Sequence, residues 1–384
     1  MAEAAKATES ARLKWKPAPG ERVGPYEYWV RQTGLPVLRG HYVADVRTAE
    51  LGWWAERECS AAFVDLQGQG SLMEGRITEI PPGVTLPPLK FGLDEVVYVL
   101  KGRGFTTLWR GDGEGKRTIE WGPHSLMLLP RNYTHQLTNA QGSETVRLLH
   151  YNALPMAMAA VPDPSVHFDN PYLQPGMIPE EETEFFAAAK MVPGRRRISV
   201  MWSGNFFPDL AVWDQLRRSE SRGAGGSIVQ FYFPGIPFNA HMSVFPKQTY
   251  KKTHRHGPGP FRPGALLVVV SGEGHTIMWP HDDEDAEKVV IPWHEGTIFN
   301  PPDKWFHGHY NVGVEPARYI AIQPPQHFSE HKSISIDVEY ADEESWIREK
   351  FEAELAKRGL TSLMPPEVYT DPDYQWTYRD DEES

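Results

Sequence analysis

The chain has 384 residues, which suits two domains better than one core, and 40% of them are hydrophobic and 23% charged, as in soluble globular proteins. Its formal net charge is -12 with acidic and basic residues interspersed, so no nucleic acid partner is expected, because phosphate binding needs a basic face. No stretch approaches the roughly 20 apolar residues that cross a bilayer, so no membrane partner is expected either.

The two ends of the chain carry little folding information. Residues 1–19 are rich in alanine, lysine and proline and lack the apolar core of a signal peptide, and residues 379–384 are largely acidic. The single cysteine, Cys59, cannot form an intramolecular disulfide, which fits a reducing compartment. These features predict a cytoplasmic protein.

An internal repeat is the most informative feature of the sequence. Residues 96–109 read VVYVLKGRGFTTLW and residues 266–279 read LLVVVSGEGHTIMW, each an apolar strand, a Gly-x-Gly turn and a second strand. The match resumes at four further pairs of positions: Trp121 and Trp293, Pro130 and Pro302, His135 and His307, Asn139 and Asn311. The offset is 170 residues in the first block and 172 in the second, which favours a duplicated β domain over chance similarity.

Three histidines of the second repeat are candidate metal ligands. His254 and His256 are two residues apart in a segment that leads into a strand, and alternate residues of a strand face the same side. Both imidazoles would then enter a barrel interior, where they are poor core fillers and good ligands for a divalent metal. The competing interpretation is a pair of loop or surface histidines. His307, about fifty residues further on, supplies a third imidazole.

The spacing of these residues resembles that of the cupin superfamily. Pro302-x4-His307-x3-Asn311 resembles the second cupin motif, and His254-x-His256 resembles the paired histidines of the first. The resemblance covers about residues 60–155 and 225–330. It implies an all-β dominated fold of two cupin barrels, of the double-stranded β-helix or jelly-roll kind, with peripheral helices.

Five regions are therefore expected along the chain. They are an N-terminal arm with a helical or extended lead-in (1–59), a first cupin barrel (60–155), a linker with helices (156–224), a second cupin barrel (225–330) and a C-terminal helix with an acidic tail (331–384). A helix between Asp342 and Gly359 places Ile347, Phe351 and Leu355 on one face, and would cover the outside of a barrel. Cupin barrels commonly associate through edge strands, so a homo-oligomer is expected.

The two repeats depart from the cupin pattern in opposite ways. The family's glutamate ligand lies seven residues before the turn glycine, a position that is Glu95 in the first repeat and Ala265 in the second. The paired-histidine positions of the first repeat are Pro88 and Lys90. The resemblance thus implies a three-histidine centre in the second barrel, and a first barrel that has lost its metal.

The first barrel keeps only two of the family's ligand residues. Glu95 and His135 are expected either to hydrogen-bond each other or to line a vestigial pocket.

A three-histidine centre leaves up to three coordination positions of a metal open. Imidazole ligands suit Fe, Zn, Cu or Ni. The resemblance to gentisate-type and diketone-cleaving three-histidine dioxygenases implies Fe(II), with Zn, Ni or Mn as alternatives. It implies an enzyme that uses dioxygen to cleave a C–C bond of a small aromatic or enolisable substrate. The other interpretations are a redox-neutral cupin decarboxylase, lyase or isomerase, and a non-catalytic bicupin that binds a small ligand.

Three further residues are candidates for catalysis or substrate contact. His309 lies two residues beyond His307 on the same face of a strand. Three roles are open for it: a fourth ligand, an acid/base group or a core histidine. Arg262, in the glycine- and proline-rich loop 257–264, would grip a substrate carboxylate. Gln323, on a late strand, would face the barrel interior.

Overall fold

The computed structural model describes residues 20, 22–111, 113–175, 178, 185–193, 200–219, 223–256, 264–283, 286–325, 335–371, 373–374 and 376. Strands predominate within this part of the chain and form four sheets, two for each of two jelly-roll barrels. The expected fold class, all-β dominated with two cupin barrels and peripheral helices, is confirmed.

The strands of the described residues are numbered in chain order. They span Val37–Gly40 (β1), Tyr42–Val43 (β2), Gly52–Trp54 (β3), Cys59–Leu66 (β4), Glu74–Ile80 (β5), Leu89–Lys90 (β6), Glu95–Lys101 (β7), Gly104–Arg110 (β8), Glu114–Trp121 (β9), Leu126–Leu129 (β10), Thr134–Asn139 (β11), Val146–Asn152 (β12), Lys190–Pro193 (β13), Val200–Ser203 (β14), Phe206–Phe207 (β15), Arg217–Arg218 (β16), Ser227–Tyr232 (β17), Asn239–Phe245 (β18), His254–His256 (β19), Leu266–Ser271 (β20), Gly274–Trp279 (β21), Val289–Trp293 (β22), Ile298–Phe299 (β23), Phe306–Asn311 (β24), Ala317–Gln323 (β25) and Ser335–Asp337 (β26).

The helices lie outside the barrels. The α-helices span Pro25–Thr33, Leu154–Ala160, Pro164–His167 and Ser345–Ala356, and short 3-10 helices span Ala55–Arg57, Gln67–Gln69, Tyr340–Asp342 and Pro366–Tyr369. Within the described residues, no helix has both the length and the apolar character needed to span a membrane.

Each barrel is formed by a large and a small sheet. The first barrel sets the sheet β1-β4-β5-β12-β7-β10-β15, with β3 beside β4, against β6-β11-β8-β9. The second sets β13-β14-β17-β18-β25-β20-β23-β2, with β16 beside β17, against β22-β21-β24-β19-β26. The early strand β2 pairs with β23 of the second barrel, and the later strand β15 pairs with β10 of the first. The barrels are therefore joined by exchanged strands, and the expected domain boundaries stay a prediction.

The two large sheets pack against each other and share one hydrophobic core. Alternation along β25 shows this, because Ile320 and Ile322 join the core cluster that includes Val96 and Leu128 of the first barrel. Tyr319 and Ala321, on the opposite face of the same strand, join the interior of the second barrel. Because the strand is buried on both faces, its sequence is a nearly continuous run of apolar residues.

Equivalent glycines in the two repeats are required by the packing. Gly104 and Gly274 begin β8 and β21, and a Cβ atom there would lie 2.1 Å and 2.0 Å from a carbonyl oxygen of the neighbouring strand. The side chains of Trp121 and Trp293 would come within 2.4 Å and 2.5 Å of the same two Cβ positions. The repeated Gly and Trp residues thus mark one packing arrangement that occurs in both barrels.

The repeated asparagines also make equivalent bonds in each barrel. The Asn139 side-chain amide donates to the backbone carbonyls of Ile80 and Glu144, at 3.1 and 2.8 Å. The Asn311 amide donates to those of Pro246 and Glu315, at 3.1 and 2.8 Å. These bonds tie the end of one strand to the turn that begins the next, which supports duplication of the whole barrel.

The C-terminal helix covers the small sheet of the second barrel. It is shorter than the expected span between Asp342 and Gly359, and it runs from Ser345 to Ala356. Its predicted apolar face is correct, since Ile347, Phe351 and Leu355 are buried against Tyr250, Tyr310 and neighbouring residues.

Candidate metal centre

The fold brings the three predicted histidines together inside the second barrel. His254 of β19 lies directly across from His307 of β24, and their ring centroids are 4.1 Å apart. One possible ligand nitrogen from each of His254, His256 and His307 lies within 4.8 Å of the others. His254 and His307 are buried and His256 is half-buried. Among the residues that the structure describes, no second cluster of this kind is found.

Backbone carbonyls orient two of the three rings. His254 Nδ1 lies 3.2 Å from the carbonyl oxygen of Lys252, and His307 Nδ1 lies 3.0 Å from that of Trp305. Because a carbonyl oxygen can only accept, each Nδ1 carries the proton and each Nε2 keeps its lone pair. This is the usual way in which a protein fixes the tautomer of a metal-binding histidine.

The donor set fits one divalent ion. Nitrogens bound to the same ion at about 2.1 Å lie no more than about 4.2 Å apart. The ligand nitrogens of the three histidines lie within 4.8 Å of one another, so small side-chain movements would let them bind one ion together. No carboxylate belongs to the group, in keeping with Ala265 at the position where cupins carry glutamate. All three ligands would be neutral imidazoles.

The interior of the second barrel contains a buried cation. Lys251 donates its backbone N–H to the His309 carbonyl and thus lies beside His309 on the neighbouring strand. Its buried ammonium donates to Ser243 Oγ at 3.2 Å and to Tyr319 Oη at 3.0 Å. Within the described residues Lys251 forms no ion pair, and the fully buried carboxylates, Glu74, Asp94 and Glu95, lie in the first barrel. The half-buried Glu343 accepts from Tyr250 and from the Thr253 backbone instead. The Lys251 ammonium thus adds a positive charge inside the second barrel.

His309 lies next to the three histidines without joining their ligand group. It is buried, its ring centroid is 5.6 Å from that of His307, and its Nδ1 lies 2.9 Å from Thr276 Oγ1. Tyr319 packs against its ring at 5.1 Å. His309 is therefore an inward-facing residue with a fixed orientation, and its role in catalysis stays a prediction.

Of the other two predicted residues, Gln323 is described by the structure and Arg262 is not. Gln323 lies on β25, where its amide nitrogen is 3.1 Å from His241 Nδ1. Its hydrogen bond is with His241 and with none of the three candidate ligands. Arg262 lies outside the described residues.

The cupin-type glutamate of the first barrel belongs to a buried ionic cluster. Glu95 Oε1 accepts from Arg76 at 2.7 Å and from Asn152 at 2.9 Å, and Glu95 Oε2 is 2.7 Å from His150 Nδ1. Burial acts to raise the pKa of Glu95, but the attraction of His150 and Arg76 outweighs it and holds the pKa well below its usual value. The first of the two expected arrangements, a hydrogen bond between Glu95 and His135, is therefore not found.

His135 faces a cavity of the first barrel, which matches the second expected arrangement, a pocket lined by Glu95 and His135. It is buried, its Nδ1 has no hydrogen-bond partner, and burial lowers the pKa of its imidazole to about 3. Lys90, at a paired-histidine position, instead directs its ammonium to the carbonyl oxygens of Asn170 and Leu173, at 2.8 and 2.5 Å. At the family's four ligand positions in this barrel stand Pro88, Lys90, Glu95 and His135, and Lys90 and Glu95 are bonded to other groups. A metal-free first barrel stays a prediction.

Sequence reasoning missed Arg76 and His150, the principal partners of Glu95. They lie opposite each other on β5 and β12. The available sign was the alternation of polar residues on one face of each strand, with Glu74, Arg76 and Thr78 on β5 and His150 and Asn152 on β12.

Comparisons with known proteins find only distant structural similarity. No protein-family model matches the sequence, and no curated protein matches it. The oxalate decarboxylase of Lactobacillus farciminis in its formate complex is 13% identical, with a TM-score of 0.46, over 80% of this chain and 91% of that one. The Bacillus subtilis oxalate decarboxylase at pH 4.6 is 11% identical, with a TM-score of 0.45, over 80% and 82%. The 7S globulin of Momordica charantia is 13% identical, with a TM-score of 0.46, over 75% and 84%. Similarities this distant do not identify a metal, a substrate or a reaction.

Proposed function

We propose that the second barrel binds one divalent metal ion through His254, His256 and His307, and that the protein is a metal-dependent dioxygenase. Its substrate would be a small aromatic or enolisable anion, in which one C–C bond is cleaved. The observation that carries this proposal is the convergence of three imidazoles, two of them with Nδ1 fixed by a carbonyl, in a barrel whose described residues include no buried carboxylate.

Fe(II) is the metal that the resemblance to three-histidine dioxygenases implies, and the imidazole ligands are compatible with it. Imidazole nitrogens suit Fe, Zn, Cu and Ni, whereas Mn and Mg prefer oxygen ligands. A bound Fe(II) ion would supply Lewis acidity and redox chemistry with dioxygen. Zn, Ni and Mn are the alternatives.

The surrounding residues would bind and orient an anionic substrate. Three neutral ligands leave the charge of the metal uncompensated, and the Lys251 ammonium adds a second positive charge inside the same barrel. His309, held by Thr276, would move a proton on the substrate, while Gln323 and Arg262 would contact its polar groups. Assembly into a homo-oligomer and a cytoplasmic location also stay predictions.

A redox-neutral decarboxylase is the second candidate, and Lys251 is the residue that favours it. A buried ammonium can stabilise the negative charge that develops when a carboxylate leaves as carbon dioxide. This reaction needs the same metal site but consumes no oxygen.

Oxygen uptake by the metal-loaded protein distinguishes these candidates. Purified protein reconstituted with Fe(II) is mixed with gentisates, catechols and β-diketones, and dissolved oxygen and released carbon dioxide are followed together. We expect oxygen consumption equal to the substrate cleaved in the wild type and in His135→Leu, and only background in His307→Ala. Carbon dioxide release without oxygen uptake would replace the dioxygenase with the decarboxylase. Stoichiometric metal with neither reaction across the panel would contradict both.

A further inference from the structure

The first barrel encloses a small cavity beside its ionic cluster. Its volume is about 20 Å³, enough for one or two water molecules as it stands. Arg57, Arg76, Glu95 and His135 line its polar side, and Trp54 and other apolar side chains line the rest. Arg57 is only half-buried, so the cavity lies near the surface on that side.

Two lining groups have hydrogen-bonding capacity that the protein does not use. His135 is 3% exposed, and its Nδ1 has no hydrogen-bond partner. The Arg76 Nε–H, also buried, is without a partner too. A buried polar group without a partner costs free energy, and a molecule that supplies the missing partner recovers it.

Of the two arginines that line this cavity, Arg57 has no carboxylate partner. It donates one hydrogen bond, from Nη2 to the Pro87 carbonyl at 3.1 Å, and forms no ion pair within the described residues. Asp169 attracts it without pairing and instead accepts the backbone N–H of Lys90. Arg57 is therefore available to an anion.

The charge of Glu95, the carboxylate of the cavity, is already compensated. Its oxygens accept hydrogen bonds from Arg76 and Asn152 at one and from His150 at the other, and Arg76 balances its charge. What remains are N–H donors on one side and apolar surface on the other. A monovalent anion with a short apolar body matches that arrangement better than a dianion, whose desolvation is costlier.

We propose that the first barrel is a binding site for a short-chain monocarboxylate of about acetate size. Its carboxylate would pair with the Arg57 guanidinium and accept from His135 and the Arg76 Nε–H, with its methyl group against Trp54. The half-exposed Arg57 side chain adjusts to admit the ligand, because the present cavity is slightly too small for it. This site is independent of the proposed metal centre.

Acetate binding tests this site. The metal-loaded protein in acetate-free buffer at pH 7 is titrated with sodium acetate by calorimetry. We expect, apart from any acetate bound at the metal, one site per chain that is at least tenfold weaker in Arg57→Gln and partly restored in Arg57→Lys. The matched control is Arg39→Gln, an exposed arginine of the same barrel that pairs with Asp65, and its affinity should equal that of the wild type.

Two further measurements distinguish the first barrel from the metal centre as the place where acetate binds. The variant His307→Ala should bind acetate as the wild type does, whereas loss of binding there would place acetate at the second barrel and overturn the proposal. Nitrogen-15 spectra of the histidine rings should show a shift of the His135 resonances on adding acetate. Absence of acetate binding to the wild type, or equal binding by Arg57→Gln, would show that the cavity holds only water and would also overturn it.

Discussion

The first barrel neutralises its buried charges internally, whereas the second brings three imidazoles close together without a carboxylate among them. Glu95 is surrounded by Arg76, His150 and Asn152, so each of its oxygens has a partner within the barrel. In the second barrel the equivalent residue is Ala265, and His254 and His307 are fixed by carbonyl oxygens instead. The same strand plan therefore supports a closed ionic cluster in one copy and an open ligand set in the other.

The difference shows how few residues separate a ligand site from a filled interior. The positions equivalent to the paired histidines are Pro88 and Lys90 in the first barrel, and Lys90 reaches the carbonyl oxygens of residues 170 and 173. His135 keeps the place of His307 but has lost its neighbours. His135 and Glu95, which line the same cavity, are what remains of the ligand set.

Removing Glu95 should have the largest effect on stability. The variant Glu95→Gln removes the charge that the buried Arg76 and His150 both contact. Because Arg76 keeps Glu74 as an ion-pair partner, we expect a cost of about 3 kcal/mol, the low end for a broken buried ion pair. In metal-free protein His307→Ala should cost less, about 1–2 kcal/mol, since it removes a neutral side chain with its hydrogen bond to the Trp305 carbonyl and leaves no buried charge uncompensated. Urea unfolding of both variants checks the contrast, and equal losses would contradict the internal neutralisation of the first barrel.

His135 should make the stability of the protein fall as pH decreases below about 6.5. Burial lowers its pKa to about 3, so between these two values the unfolded chain binds a proton at this position and the folded chain does not. The slope from one such group is about 1.4 kcal/mol per pH unit. Between pH 6.5 and 5, His135→Leu should therefore lose about 2 kcal/mol less than the wild type.

The control for this measurement is an exposed histidine. Replacing His281, which is exposed, by leucine should leave the pH dependence of the urea midpoint unchanged. If His135→Leu retains the wild-type dependence, His135 accepts a proton in the folded protein and the cavity around it is open to water.

The sequence predicted the parts of this structure that local periodicity and the repeat encode. The duplication and the C-terminal helix face follow from the repeat and from periodicity. The barrel fold and the convergence of His254, His256 and His307 follow from the resemblance of their spacing to the cupin motifs. Strand exchange through β2 could not be foreseen, because two residues carry no periodicity. Neither could the contacts of Lys251 with Ser243 and Tyr319, since they depend on which strands become neighbours across the barrel.

Elemental analysis of matched variants tests most directly the claim that the metal belongs to the second barrel. Wild-type protein, His307→Ala and His135→Leu are purified in parallel, loaded with Fe(II) and desalted, and their metal content is measured. We predict about one metal ion per chain in the wild type and in His135→Leu, and almost none in His307→Ala. Metal retained by His307→Ala, or lost from His135→Leu, would contradict the assignment of the site to His254, His256 and His307.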